Sequence, residues 1–215
     1  MKKTLLSITI QNDWVIQTAT PAYAAELEQL QRRVFPTLSE PEIIKAAQYL
    51  KQMEVFPEGQ FIVLEGEKLI GQCSTMRYHL STDHHTFLEI SDNLWIGTHE
   101  PHGPWLYGLD MGVDPDYRRK GIARALYRAK QTLVRALDME GQLIVGMLNG
   151  YFQYKKQYST DEYYRLVLKG VLYDPTVSSQ MKIGFRPLRL LNDYLEDAQC
   201  GNAGVLMMME AEKEI

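Results

Sequence analysis

The chain reads as a single α/β (α+β) domain spanning residues 1–215, and three observations carry that reading. Stretches with strand spacing and stretches with helix spacing follow one another along the whole length. No internal repeat, low-complexity run or linker separates them. At 215 residues and 45% hydrophobic content, the chain holds ample material for one core.

The elements follow in order. Met1-Lys2-Lys3 and the apolar Leu5 to Ile10 mimic the start of a signal peptide, and Ala22-Tyr23-Ala24 resembles a cleavage site. Gln11, Asn12 and Asp13 interrupt that apolar run too early, so it reads as a leading strand. Trp14 to Thr18 is a second strand. Thr20-Pro21 supplies an N-cap and a proline at the first helical position, with Leu27, Leu30 and Val34 on one face. Ser39 and Glu42 make a capping box for a second helix, with Ile43, Ala47 and Leu50 inward. Phe61 to Leu64 and Leu69 to Met76 form a hairpin turning at Gly66-Glu67. The segment from Tyr78 to Pro104 has little periodicity and four histidines after His79, which marks a functional or mobile loop.

Trp105 to Val113 is a strand rich in aromatic and apolar residues, broken by Pro115 and Asp116. Ile122, Leu126, Ala129, Leu133 and Leu137 then recur at the spacing of one buried helix face. Leu143 to Met147 is a short buried strand. Ser159 and Glu162 form a capping box for a helix ending near Gly170. A further helix starts at Asp174-Pro175 and stops at Gly184. Phe185 to Leu191 and Val205 to Met209 are the closing strands.

Composition excludes several function classes. The net charge of −4 argues against a general nucleic-acid binder. No apolar run approaches the length of a membrane span. Cys73 and Cys200 are the two cysteines, far apart and without metal-ligand spacing. They read as packing residues of a reduced, cytoplasmic protein.

The turn between Val113 and Ile122 is the stretch that points to chemistry. Arg118, Arg119 and Lys120 lead into Gly121, Ile122, Ala123 and Arg124 at the start of a long helix. The first amides of a helix lack internal partners, and the aligned peptide dipoles leave partial positive charge there. Gly121 lets an anion approach the main chain, Ala123 obstructs little, and the cations add attraction. A phosphate or pyrophosphate suits such a site. The spacing matches neither a nucleotide P-loop nor the three-glycine dinucleotide fingerprint.

Arg118, Gly121 and Ala123, with Val113, Pro115 and Tyr117 upstream, resemble the pyrophosphate loop of the GNAT superfamily of N-acetyltransferases, Arg/Gln-x-x-Gly-x-Gly/Ala. Leu106-Tyr-Gly-Leu-Asp110, Gly150-Tyr151 with Tyr154-Lys155, and Leu172 to Ser178 with Gln180 and Gly184-Phe185 are similar to one subgroup. It is the acetyltransferase domain fused to nitrilase-type carbon–nitrogen hydrolases in bacteria. The resemblance covers roughly residues 60 to 210, and the hydrolase activity does not carry over. It implies a mixed, mostly antiparallel central sheet with helices on both faces. It also implies acetyl-CoA as co-substrate, a small-molecule amine as acceptor, direct attack in a ternary complex, and no metal.

By matching position, Met111 and Val113 offer main-chain groups to the pantetheine and acetyl parts. Arg118, Arg119, Lys120, Gly121, Ile122, Ala123 and Arg124 hold the pyrophosphate. Asn149 stands where many members place an asparagine on the cofactor, and it reads equally as a turn residue before Gly150. The usual thiolate acid is a tyrosine where this chain has Gln180, which cannot supply a proton at neutral pH. Tyr173 and Tyr151 are the nearest candidates, with water as the other option. Asp110 is the candidate base, or else a structural carboxylate bonding loop amides; His102 is a weaker alternative. Asp83, Glu89, Asp92 and Glu100 in the long loop suggest a cationic acceptor. Two other readings stand beside catalysis: a non-catalytic acyl-CoA-binding module, and an interaction subunit for a separate nitrilase-like protein. A homodimer is also compatible with the sequence.

Overall fold

In the computed structural model, which describes residues 7–81 and 83–215, eight strands form one sheet. They are β1 (Ser7–Thr9), β2 (Val15–Thr18), β3 (Phe61–Glu65), β4 (Lys68–Tyr78), β5 (Trp105–Val113), β6 (Gly141–Met147), β7 (Arg186–Leu191) and β8 (Gly204–Glu210). Their spatial order is β1-β2-β3-β4-β5-β6-β8-β7. Only β5 and β6 run parallel; every other neighbouring pair is antiparallel. The parallel pair needs a crossover, which α4 (Ile122–Ala136) supplies.

Alternation along β3 assigns the two faces. Ile62 and Leu64 join the core under α1 (Ala24–Val34) and α2 (Ala46–Val55), with Leu27, Leu30, Tyr49 and Met53. Phe61 and Val63 point the other way, onto Ile122, Leu126 and Ala129 of α4. The sheet is therefore mixed and mostly antiparallel, with helices on both faces. Three shorter helices complete the chain: α3 (Phe87–Ile90), α5 (Thr160–Leu168) and α6 (Val177–Lys182).

The hairpin turns at Gly66-Glu67, where Gly66 has φ +59°. Ser159 accepts from the Glu162 amide and opens α5, and Gly170 follows that helix with φ +69°.

Two expectations need correction. Ser39 Oγ does bond Glu42 Oε2, at 3.0 Å, but it does so at a 3-10 turn, Glu40–Glu42. Ile43 then turns extended, and α2 begins only at Ala46. The inward face is consequently Tyr49, Gln52 and Met53; Ala47 is exposed and Leu50 is 43% exposed. The segment after Tyr78 is not loose either. Thr86 and Glu89 cap α3, and Phe87, Ile90, Leu94 and Ile96 are buried in the main core. Of the leading apolar stretch, Ser7–Thr9 forms β1; Met1-Lys2-Lys3 and Leu5 lie outside the described residues.

Candidate active site

The site starts from a break in the sheet. Parallel pairing between β5 and β6 runs from Trp105↔Gly141 to Gly108↔Ile144 and stops there. Beyond that point β5 continues on β4 to Val113, while β6 continues on β8 to Met147. Opposite Ser74/Thr75 the β4–β5 register shifts, so Leu109 is an extra residue, and such a bulge bends its strand. The two strand edges thus part, and their main-chain groups face a pocket of about 430 Å³. Its walls come from β5 from Gly108 onward, β6 from Ile144 onward, the first three turns of α4, and α6, with Gln31 and Phe35 at the end of α1 and Tyr194 completing it. Concave sites of this size suit a small ligand.

The anion turn closes one end. Gly121 sits at the start of α4 with φ +85°, and among the described residues no side chain caps the helix. Its first helical bond is from the Ala125 amide to the Gly121 carbonyl, 3.0 Å. The amides of Ile122, Ala123 and Arg124 therefore have no partner inside the helix. Ala123 and Arg124 line the pocket; the Ile122 side chain is buried in the opposite core, so that residue offers only its amide. Two of the loop cations are committed elsewhere. Arg118 Nη2 donates to the Val34 carbonyl at 3.1 Å, and Lys120 Nζ lies 4.9 Å from the centroid of the Tyr117 ring. Arg119 is exposed with φ +61°.

Asp110 and Met111 line the pocket on β5, and Val113 lies at its end. The half-buried Asp110 carboxylate accepts from the Tyr49 hydroxyl at 3.3 Å and from Gln72 Nε2. Burial lifts its pKa to about 6 against these stabilising hydrogen bonds.

A turn that presents helix amides, a parted strand pair and a strand carboxylate thus converge on one pocket. The sequence pattern of the acetyltransferase (GNAT) family matches residues 24–140. A Bacillus subtilis (strain 168) protein described as an uncharacterized N-acetyltransferase, YkwB, is 32% identical over 195 residues, covering 89% of this chain and 86% of that one. The chain belongs to the GNAT acetyltransferase family. A second protein of that organism, probable hydrolase YhcX, is 36% identical over 171 residues, covering 78% of this chain. That match spans 33% of YhcX, so the chain corresponds to about a third of it. The solved structure of the GphF GNAT-like decarboxylase in complex with isobutyryl-CoA superposes with a TM-score of 0.75 at 22% identity, covering 92% of this chain and 99% of that one. It shares the fold.

As a GNAT protein the chain is an acyltransferase that draws on acyl-CoA. Several residues sit differently from the sequence expectation. Tyr173 is 65% exposed and lies outside the pocket lining; its hydroxyl is 2.8 Å from Ser179 Oγ. Tyr151 points its hydroxyl to the Tyr158 carbonyl, 3.1 Å. His102 is exposed and not part of the lining. Asn149 is at the pocket rim, but its Nδ2 donates to Thr176 Oγ1 at 2.7 Å, tying the end of β6 to the start of α6. Of the acidic loop, Phe87 lines the pocket and the four carboxylates do not. Glu89 caps α3, Glu100 pairs with His79, and Asp83 accepts from Ser81.

Tyr127 and Lys130 are among the polar pocket residues that sequence reasoning overlooked. Both are buried on α4, and with Ala123 they form one stripe at spacings of four and three. That stripe continues inward from the loop that pointed to the site, so its periodicity carried the signal. Gln180 lines the same wall and is buried.

Proposed function

We propose that this acyltransferase moves an acetyl group from acetyl-CoA to a primary amine of a small molecule, by direct attack within a ternary complex. The observation that carries the reading is the parting of β5 from β6 beyond Gly108, in line with the first α4 amides, which have no partner inside the helix. Pyrophosphate at the Ile122–Arg124 amides would leave the pantetheine arm to run along β5, past Val113 and Met111. The thioester carbonyl then meets main-chain amides near the Leu109 bulge, a modest oxyanion site.

In the transfer, the amine nitrogen bonds the carbonyl carbon, the carbon–sulfur bond breaks, and the thiolate leaves. Asp110 is the group suited to take the proton from the amine. With a pKa near 6 it is mostly ionised at neutral pH and remains close enough to exchange protons efficiently. YkwB's description as an N-acetyltransferase supports the amine acceptor. The buried free thiols of Cys73 and Cys200 support a reducing compartment, the cytoplasm.

A second reading, an acyl-CoA-binding module without turnover, is favoured by Gln180, whose amide is no acid. Thiol release with a broad amine panel, set beside calorimetric binding of acetyl-CoA, separates the two. Binding with release supports the enzyme, and binding without release for every amine supports the module. Absence of binding sinks both.

A further inference from the structure

The pocket contains a charged side chain that amine transfer does not use. Lys130 is 1% exposed and lines the pocket from α4. Its Nζ lies 4.4 Å from the centroid of the Tyr127 ring, a cation–π contact that supplies no counter-charge. Among the described residues it has no carboxylate at ion-pair distance and no hydrogen-bond acceptor. Lysine is almost never fully buried without a partner, because an unpaired buried ammonium is costly. Asp110 lines the same pocket but, among the described residues, forms no ion pair with Lys130; the titratable groups that act on it are Tyr127 on its own helix and Cys73 on β4, whose thiol is pushed up to about 11 by burial. Both are neutral at neutral pH, so neither is a counter-ion. Burial lowers the Lys130 pKa, since it penalises the charged form.

Its place in the pocket says what the partner is. A Cβ built on Gly108 would stand 3.3 Å from Lys130 Nζ, and Gly108 is the last residue of β5 paired to β6. The ammonium therefore sits at the apex where the strands part. From Val113 to Gly108 is about 16 Å of strand, and from Ala123 to Lys130 about 10 Å of helix. A thioester anchored at the α4 amides and extended along β5 brings its acyl end to that apex.

We infer that Lys130 receives a carboxylate at the far end of the acyl group, so that the pocket accepts carboxyacyl-CoA thioesters as a donor class beyond acetyl-CoA. The inference rests on the acyl-CoA reading of the pocket. The carboxylate is assigned to the acyl group because Lys130 shares its helix stripe with the residues that hold the thioester's other end.

The test is calorimetric binding of CoA, acetyl-CoA, butyryl-CoA, malonyl-CoA and succinyl-CoA to the full chain. Malonyl- or succinyl-CoA should bind at least about tenfold more tightly than butyryl-CoA, which lacks the charge. Lys130→Met should erase that margin while leaving CoA affinity within about threefold. No margin in the wild type, or a margin that survives Lys130→Met, overturns the inference. The wild-type panel decides by itself if the variant does not fold. Free succinate binding at the site beside bound acetyl-CoA would move the carboxylate to the acceptor and also overturn it. Failure of CoA itself to bind would overturn the acyl-CoA reading, a result distinct from CoA binding without carboxylate preference.

Discussion

The side-chain amide of Gln180 donates a hydrogen bond of 2.9 Å to the Tyr127 hydroxyl, joining α6 to α4 at the pocket wall. Burial raises the Tyr127 pKa, and its ring packs edge-on against Phe185 at 5.2 Å. The phenol is thus held neutral and is a poor proton donor to a thiolate. Among the described residues, Gln180 Oε1 is left buried with no partner. An isolated unsatisfied group costs about 1–3 kcal/mol, whereas removing both partners of a buried bond can be nearly neutral. Tyr127→Phe should therefore destabilise by about 1–3 kcal/mol, since it strands Gln180 Nε2. Tyr127→Phe combined with Gln180→Leu should recover most of that loss in urea unfolding. Strictly additive losses in the double mutant would show that the pair is not coupled.

Gly121 tests the anion end. At φ +85° any side chain is strained, and a Cβ there meets only Gln11 Nε2, at 3.2 Å. Gly121→Ala should cost about 1 kcal/mol of stability from backbone strain alone. Gly121→Asp adds a negative charge beside the free amides, so its CoA affinity should fall by at least about a hundredfold, against at most about fivefold for alanine. Equal losses in the two folded variants would mean that strain, and not charge, controls binding.

The parts legible in the sequence are those governed by neighbours a few residues away. Trp105–Val113, the helix start at Gly121 and the buried face of α4 follow from turn chemistry and periodicity, which need no distant contact. The Ser39/Glu42 signature was equally local, but it closed a turn, and packing of Tyr49 and Met53 set the face of α2. The site divides in the same way. Asp110, Met111, Val113, Ala123 and Arg124 reach the pocket because the strand and helix carrying them are local features, and Asn149 reaches its rim from the turn that follows β6. Tyr127 and Lys130 are polar residues on a buried stripe, and their role depends on β5 and β6 parting, a long-range event. Tyr173 lies outside the pocket lining because the chain bends at Asp174, whose carboxylate accepts from the amides of Thr176 and Val177. Its ring stays in solvent.

That placement yields a direct test. Tyr173→Phe removes one exposed hydroxyl whose contact is Ser179 Oγ. A hydroxyl outside the pocket lining makes no contact with the reacting groups, so kcat/KM should change by less than about threefold, roughly 0.6 kcal/mol in the barrier. A loss beyond about tenfold, roughly 1.4 kcal/mol in the barrier, would return Tyr173 to the role of thiolate acid.

Asp110 joins function to stability through its pKa. The native carboxyl keeps its proton to about pH 6, whereas an ordinary aspartate releases it near 3.8. Between those values the native state binds more protons than the unfolded chain, so this group makes stability fall as pH rises through the window. The ionised form that accepts the amine proton is therefore the form the fold tolerates less well. Asp110→Asn should slow thiol release by at least about a hundredfold. The same change should increase stability at pH 7, relative to wild type, by on the order of 2–3 kcal/mol more than it does below pH 3.8. Wild-type turnover should rise with pH through an apparent pKa near 6, and Asp110→Asn should lose that limb. Urea unfolding of both proteins at pH 3.5 and 7, with the rate profile, checks each part. A pH-independent stability difference would place the native pKa in the ordinary range and remove Asp110 as the base.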